Sequence, residues 1–260
     1  MNTLPMLADM RYSVVFNATQ AVDNYWINAP FTGGNAALNP NMNPLLTRAI
    51  LRYYGAPTAD PTAPYAPSSS GALVEDLRPL IPEPAPEPDL SLVLSLRVVN
   101  LSGAVNDVSY RSPTVPTLNQ VLNGATNLGG FNVTESTFVL PADAVVKIVF
   151  PPDSTIGAHP RHLHGNNFWL TKPAYAATAN TQAPIKRDIA VVGSATGTNL
   201  RFRTDKPGPW FLHCHIMWHL RAGLATVLLA NPAGVGEEVR PTVALRALCP
   251  VYNALPLELQ

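Results

Sequence analysis

Twenty-seven of the 260 residues are prolines, and they limit how far any helix can run. A proline inside a helix removes a backbone hydrogen bond and clashes with the preceding turn, so this composition disfavours long helices and favours short strands joined by turns. Apolar residues make up 47% of the chain and charged residues 13%, which is enough to bury a sizeable core. The sequence therefore predicts a globular β protein.

The charge balance excludes some classes of partner. Seventeen basic residues match 17 acidic ones, so there is no electrostatic case for binding nucleic acid or an anionic membrane surface. No apolar run approaches the roughly 18 residues needed to cross a bilayer. These features predict neither a nucleic-acid partner nor a membrane partner.

The start of the chain conflicts with its glycosylation motifs. Residues 1–9 lack the basic segment and uninterrupted apolar core of a signal peptide. Three sequons nevertheless indicate a secreted glycoprotein: Asn17-Ala18-Thr19, Asn100-Leu101-Ser102 and Asn132-Val133-Thr134. We therefore expect that the chain begins in the middle of something longer.

Composition divides the chain into three parts. Residues 1–55 carry strand patterns at 11–16, 25–27 and 49–54, too few for an independent sandwich. Residues 56–88 contain nine prolines among Ala, Ser and acidic residues, which is typical of an extended linker. Residues 89–260 hold a complete β pattern. We predict a partial domain, a linker and a full domain with these bounds.

The third part contains many short strand patterns and two helical ones. The helices are predicted at 117–122 and around 216–221. Many short strands with regular turns indicate an antiparallel sandwich or barrel. The predicted strands are 91–99, 107–111, 136–140, 145–150, 167–172, 187–192, 199–204, 209–214 and 223–229.

All six histidines fall within two short stretches, and the first stretch is 159–164. His162 and His164 have strand spacing, so both rings project from one face and could bind one or two metal ions. His159 precedes a proline that restricts its backbone, and it can point elsewhere. Histidines satisfied by ordinary hydrogen bonds are the alternative, but three in so short a stretch favour a metal site.

The second stretch is His213-Cys214-His215-Ile216-Met217-Trp218-His219. On a strand, Cys214 faces away from His213 and His215, and a helical turn could return His219 to the thiolate side. One Cys with two His is the ligand set of a trigonal copper electron-transfer site, although zinc also accepts these ligands. Leu224 would occupy the axial position without coordinating, or it is simply a core leucine.

Both motifs resemble the third and fourth copper signatures of multicopper oxidases, and fungal laccases most closely. The resemblance covers nearly the whole chain. It also includes 20–26, Ala49-Ile50-Leu51-Arg52-Tyr53, 202–205, 207–212 and the tail Ala247-Leu248-Cys249-Pro250-Val251-Tyr252. It implies a cupredoxin-like antiparallel β-sandwich or barrel at 89–260, preceded by a partial second cupredoxin-like domain.

The resemblance also implies a ligand for each metal position. His159, Cys214 and His219 would hold type 1 copper, with Leu224 beside it. His162 would bind type 2 copper, and the type 3 pair would be bound by His164, His213 and His215. Cys214, His213 and His215 would connect the two centres electronically. The implied activity is one-electron oxidation of phenols or aromatic amines, coupled to reduction of dioxygen to water.

The chain departs from the family in ways that limit this expectation. The two His-x-His signatures of the family's first domain are absent, so this chain offers four of the eight histidines that hold the trinuclear cluster. Cys249 resembles a cysteine that bonds to that first domain, and we expect it to be unpaired here. A chain carrying the missing domain is thus a possible partner. The alternatives are a copper-binding fragment or subunit without oxidase activity, and a folded remnant without metal.

Overall fold

A computed structural model describes residues 4–31, 42–64, 77–99, 102–153 and 155–256. The chain divides into two compact units. Unit 1 comprises Met1–Leu4 and Tyr12–Gly71, and unit 2 comprises Pro5–Arg11 and Ala72–Gln260. No helix among the described residues is long and apolar enough to span a membrane.

Unit 1 contains one antiparallel strand pair, β1 (Asn24–Asn28) and β2 (Arg48–Arg52). Trp26 lies opposite Ile50, and the guanidinium of Arg48 lies 3.8 Å from the Trp26 ring centroid. Both strands were expected from the sequence. The alternating pattern at 11–16 forms no strand in the described part of unit 1. An isolated alternation cannot become a strand unless a neighbouring strand accepts its backbone hydrogen bonds.

Unit 1 leaves apolar side chains in solvent. Val15 is 95% exposed, and its neighbours Val14 and Phe16 are 67% and 59% exposed. Exposed apolar patches and unpaired strand segments promote association. We expect the purified chain to form dimers or larger species in sedimentation velocity, and a V15S/F16S double variant to shift the distribution towards monomer. Val133→Ser, another exposed valine, is the control. A monodisperse parent monomer would contradict this expectation.

Unit 2 is built from two open five-stranded sheets, which confirms the predicted cupredoxin-like β-sandwich. The first sheet has the order β10-β9-β12-β7-β3, and the second has the order β11-β8-β13-β14-β6. Two pairings, β14 with β6 and β3 with β7, are parallel, and the other pairings in these sheets are antiparallel. The strands are β3 (Leu90–Val93), β4 (Leu96–Val99), β5 (Ser102–Val105), β6 (Thr137–Leu140), β7 (Val145–Phe150), β8 (His159–Leu163), β9 (Phe168–Lys172), β10 (Ile185–Arg187), β11 (Ile189–Val192), β12 (Thr198–Arg203), β13 (Gly208–Cys214) and β14 (Ala225–Ala230).

The core lies between the two sheets because each sheet presents an apolar face inwards. In β7, Val146 and Ile148 are fully buried, and they pack in one cluster with Leu163, Leu212 and Leu228 of the other sheet. All six residues of β14 are buried, as expected for a strand in the middle of a sheet. The small sheet β4–β5 adds Leu96 and Val105 to this cluster.

The helices agree with the sequence in two places and differ from it in two others. The first predicted helix is found as α1 (Thr117–Leu122), and the predicted turn of helix is α2 (Met217–Arg221). Two further helices, α3 (Val235–Glu238) and α4 (Val243–Asn253), were not predicted. The α4 helix forms although it contains Pro250, which removes one backbone hydrogen bond from it.

The predicted strand at 107–111 is wrong, and the predicted strand 91–99 is divided. Asn106 and Asp107 both have positive φ angles, of 49° and 65°, so the chain turns there instead of extending. This turn returns β5 to Val108, which makes a single bridge to Val105. The side chain of Asn106 in this turn accepts a hydrogen bond from the Ser95 amide. Ser95 lies between β3 and β4, where the predicted strand is interrupted.

The Pro-rich segment is described at 56–64 and 77–88, whereas 65–76 lies outside the described residues. Its final part packs on the first sheet of unit 2. The Ala85 amide donates to the Thr181 carbonyl at 2.8 Å, and Lys186 pairs with Glu83 at 2.6 Å. The sequon at Asn100 also lies outside the described residues, while Asn17 and Asn132 are exposed.

Candidate metal centre

Two neighbouring strands of the second sheet carry most of the candidate ligands. β8 pairs with β13 so that His213 lies opposite His162, and Cys214 lies opposite Arg161. Side chains alternate between the faces of a strand, so His162 and His213 share one face while Cys214 points to the other. The sequence motifs thus become two ligand groups on opposite faces of one sheet.

The outer face gathers four imidazoles. The ring centroids of His162 and His164 are 5.0 Å apart, and those of His213 and His215 are 5.4 Å apart. Across the two strands, His164 lies 5.0 Å from His213 and His162 lies 5.7 Å from His215. All four side chains that the sequence assigned to type 2 and type 3 copper therefore meet at one place.

Hydrogen bonds hold these rings in defined orientations. Nδ1 of His162 donates to the Asp188 carbonyl at 2.9 Å, and Nδ1 of His213 donates to the Cys214 carbonyl at 2.9 Å. Each bond leaves Nε2 of the ring as the nitrogen that can bind a metal. Nε2 of His164 lies 2.9 Å from Nε2 of His213, so the His164 Nε2–H donates to the lone pair of His213.

Burial keeps several of these imidazoles neutral. Burial, together with the nearby His164 and Arg161, lowers the pKa of His213 to about 4 against the opposing effect of the Cys214 carbonyl. Burial also lowers the pKa of His164, with a contribution from His162 and His215. A neutral imidazole has a free lone pair, so these rings are prepared to bind metal at neutral pH.

The core-facing group consists of His159, Cys214 and His219. Sγ of Cys214 lies 3.7 Å from Nδ1 of His219, and the ring centroids of His159 and His219 are 4.6 Å apart. Cys214 is fully buried, and burial lowers the pKa of both His159 and His219. His159 also donates from Nδ1 to the Gly157 carbonyl at 3.0 Å. The helical turn that the sequence predicted, now α2, does return His219 to the thiolate side.

Leu224 lies directly beside this group. Its amide donates to the His219 carbonyl and its carbonyl accepts from the Cys214 amide, both at 3.0 Å. The side chain is fully buried and packs against Gly103, where an added Cβ would approach the leucine to 2.5 Å. Leu224 therefore supplies no ligand atom and fills the space next to Cys214 with hydrocarbon.

Sequence reasoning missed Arg161. This residue is fully buried, and its guanidinium donates to the carbonyls of Leu224 at 2.7 Å and Leu212 at 3.1 Å. Burial raises the pKa of the Cys214 thiol, while the Ile216 amide and the charge of Arg161 oppose that increase. A sequence signal existed, because strand alternation places Arg161 on the same face as the buried Leu163.

Sequence reasoning also missed an acidic group beside the imidazoles. Oδ2 of Asp9 lies 3.7 Å from Nε2 of His215 and 3.8 Å from Nδ1 of His162. The adjacent Arg11 pairs with Asp188 at 2.6 Å. Burial tends to raise the pKa of Asp188, but the hydrogen bond and charge of Arg11 lower it overall. Long-range contacts of this kind have no local sequence pattern.

The donor set fits copper. Two ligands bound to one ion at about 2.0–2.3 Å in tetrahedral geometry lie about 3.5 Å apart, close to the Cys214–His219 separation. One thiolate and two imidazoles suit copper, as do imidazoles alone. Among the described residues, no three His, Cys, Asp or Glu side chains are already positioned to bind one metal ion. The side chains would therefore adjust on binding.

Low pH should destabilise the metal-free chain. Unfolded histidines titrate near pH 6.5, whereas the pKa of His213 in the folded chain is about 4. Between these values the unfolded state binds more protons, so the free energy of unfolding falls as the pH falls. His213 alone should contribute a loss on the order of 3 kcal/mol by pH 4.

Urea unfolding of chelator-treated protein at pH 7, 5.5 and 4.5 measures this effect. The variant His213→Gln should show a flatter dependence on pH, because it removes the largest resolved shift. A parent chain whose stability is constant across this range would contradict the expectation.

The two cysteines are both free. Cys249 lies on α4, and its Sγ accepts a hydrogen bond from the Asn119 side chain at 3.4 Å. The expectation that Cys249 is unpaired in this chain agrees with the structure, whereas its bonding to another domain stays a prediction.

The fold and the two groups of ligands define a cupredoxin-like protein with the donor set of a copper oxidase. Residues 110–234 and residues 2–56 match two family models, both described as multicopper oxidase. The chain belongs to the multicopper oxidase family.

Within this family the chain is similar to fungal laccases. It is 41% identical over 263 residues to Laccase-2 of Agaricus bisporus. This alignment covers 97% of the present chain and 49% of that laccase. It is 38% identical over 265 residues to Laccase-1 of Pleurotus ostreatus. This alignment covers 98% of the present chain and 48% of that laccase. The chain thus spans about half the length of the laccases it matches.

Solved structures give the same result. The laccase from Botrytis aclada superposes with a TM-score of 0.76 and 26% identity, over 91% of this chain and 46% of that one. Fet3p, described as a multicopper oxidase that functions in iron import, superposes with a TM-score of 0.70 and 29% identity, over 80% of this chain and 44% of that one.

Proposed function

We propose that this chain forms part of a laccase-type multicopper oxidase, which oxidises phenols or aromatic amines in one-electron steps and reduces dioxygen to water. The observation that carries the proposal is the end of strand β13, where Cys214 faces the core, while His213 before it and His215 just after the strand face the opposite side. The similarity to laccases along nearly the whole chain supports it.

Each side chain has a proposed ligand role. Cys214, His159 and His219 would hold type 1 copper, and Leu224 would close the axial position without coordinating. His162 would hold type 2 copper. The type 3 pair would be held by His164, His213 and His215. Bound copper would accept single electrons from the substrate and deliver them to dioxygen.

The chain's own residues would connect and protect the two groups. One peptide bond separates Cys214 from His213 and another separates it from His215, so β13 provides a covalent path between the two faces. Leu224 and the buried core exclude water from Cys214. On the outer face, the carbonyls of Asp188 and Cys214 fix the tautomers of His162 and His213.

The exposed side of α2 suits an aromatic substrate. Trp218 is 83% exposed and Met217 is 59% exposed, and they precede His219 by one and two residues in the helix. Exposed aromatic and thioether side chains provide an adaptable surface for aromatic rings. A small phenol or aromatic amine resting there would lie close to the His219 ligand.

We further propose that the chain consists of a partial domain at 1–55, a linker at 56–88 and a full domain at 89–260. We also propose that the protein is secreted. The packed strand pairing of unit 1 and the two sheets of unit 2 support the first point. The exposed sequons at Asn17 and Asn132 support the second. The trinuclear cluster would be completed by a chain or segment that carries two further His-x-His motifs.

The second candidate is a copper-binding subunit without oxidase activity. It is favoured by the presence of four outer-face histidines, which is half the number that the family's trinuclear cluster uses. Oxygen uptake with a phenolic donor, on protein of known copper content, separates the two functions. Copper stoichiometry, with zinc as competitor, tests the remaining possibilities of a metal-free remnant and of a zinc site.

A further inference from the structure

Arg161 is a buried cation in the middle of the second sheet. Its Cα partner across the β8–β13 pairing is Cys214, so both side chains lie on the core-facing side of neighbouring strands. The residue is fully buried, and the aromatic ring nearest its guanidinium, that of Phe150, has its centroid 6.0 Å away. An arginine at such a position is rare, because burying a charge costs several kcal/mol unless it is compensated.

Carbonyl oxygens bind this guanidinium, and no carboxylate in the part of the chain that the structure describes does so. It donates to the carbonyls of Leu224 and Leu212. Its Nε has no hydrogen-bond partner, and none of the ion pairs found among the described residues includes Arg161. Its charge acts on His159, His213 and Cys214, and of these three groups only Cys214 can become negatively charged. The positive charge therefore lacks a counter-charge while Cys214 is a neutral thiol.

The hydrogen bonds of Arg161 also bear on the geometry around Cys214. The Leu224 carbonyl accepts both from the guanidinium and from the Cys214 amide. The Leu212 carbonyl lies two residues before Cys214 on β13. The guanidinium is thus fixed to the backbone on both sides of the cysteine, and its charge cannot move away from the sulfur without breaking these bonds.

We propose that Arg161 is a positioning residue for the metal-binding thiolate: its fixed positive charge offsets the negative charge of Cys214 and raises the reduction potential of the copper bound there. The proposal rests on the type 1 assignment of the proposed function. A nearby positive charge disfavours the oxidised metal, which carries one more positive charge than the reduced metal. This effect would add to that of Leu224, which offers no ligand atom beside Cys214.

The test is a redox titration of the visible band of the copper-loaded full chain. Arg161→Gln keeps hydrogen-bond donors but removes the charge, and Arg161→Met removes both. We expect both neutral variants to lower the potential, so that the equilibrium with a redox mediator shifts about tenfold, equivalent to about 59 mV for one electron. Arg161→Lys keeps the charge and should stay near the parent value.

Arg201 provides a matched control. It is also buried, its Nε also lacks a partner, and its guanidinium binds the Pro86 carbonyl. It lies on β12 in the other sheet, away from Cys214. Arg201→Gln should cost stability to a similar degree but leave the potential unchanged. A shift in both Gln variants would indicate a general structural effect and overturn the proposal.

The outcomes separate this proposal from the proposed function. If the copper-loaded parent has no intense visible band, the type 1 assignment fails. If the band is present and the neutral variants keep the parent potential, only the role of Arg161 fails. If neither neutral variant folds, Arg161→Lys decides: a potential near the parent value supports the role of the charge, and a tenfold shift contradicts it.

Discussion

Replacing Cys214 by Ser should abolish the intense visible absorption of the copper-loaded chain. Such absorption requires a copper–thiolate bond, and Cys214 is the proposed sulfur ligand, which lies 3.7 Å from His219 in the buried group. Serine preserves the approximate size of the side chain but offers a hydroxyl, a much weaker ligand for copper. The absorption spectrum and the copper content, measured on the same samples, provide the test.

Cys249→Ser is the matched control for this experiment. Cys249 is the other free cysteine, but it lies on α4, where its Sγ contacts Asn119. This variant should keep the full visible band. Persistence of the band in Cys214→Ser, or its loss in Cys249→Ser, would show that the sulfur ligand has been assigned to the wrong residue.

The isolated chain should not sustain four-electron reduction of dioxygen. His162, His164, His213 and His215 can supply half of the histidines that the family's trinuclear cluster uses. Loss of an outer-shell partner alone costs about 10- to 100-fold in metal affinity or activity, and loss of direct ligands costs more. A symmetric dimer would not repair the site, because an isologous contact pairs two copies of the same half.

Addition of a chain that carries the two missing His-x-His motifs, and that completes the second domain, should restore turnover by about a hundredfold or more. The measurement is oxygen consumption with a phenolic donor at a known copper content. A partner in which those four histidines are replaced by alanine is the control and should not restore activity. Full turnover by this chain alone, with a complete set of copper ions, would contradict the half-site interpretation.

The ligand groups could be predicted from sequence because strand alternation has a fixed period. His162, His164, His213 and His215 meet on one face because each pair is separated by one residue on a strand. The return of His219 to Cys214 required only a single helical turn. These predictions depended on local geometry, which the sequence determines strongly.

The features that could not be predicted depend on contacts between distant segments or on turns. Asp9 reaches His162 and His215 across about 150 residues or more of sequence. The strand expected at 107–111 failed because two successive residues with positive φ, Asn106 and Asp107, form a turn. The role of Arg161 required knowing that its strand neighbour is Cys214, which is a question of pairing between strands.

Strand β13 carries His213 and Cys214 and leads directly into His215, so it contributes to both groups and is intolerant of insertions and deletions. A one-residue change in length before Cys214 would exchange the faces of every later side chain, sending the sulfur outwards and both flanking imidazoles into the core. Because β13 is paired on one side with β8 and on the other with β14, it cannot slide to compensate without losing two ladders. A substitution can affect one of the two proposed metal sites at a time. A single codon gained or lost in β13 before Cys214 would disrupt the core-facing and the outer-face site together.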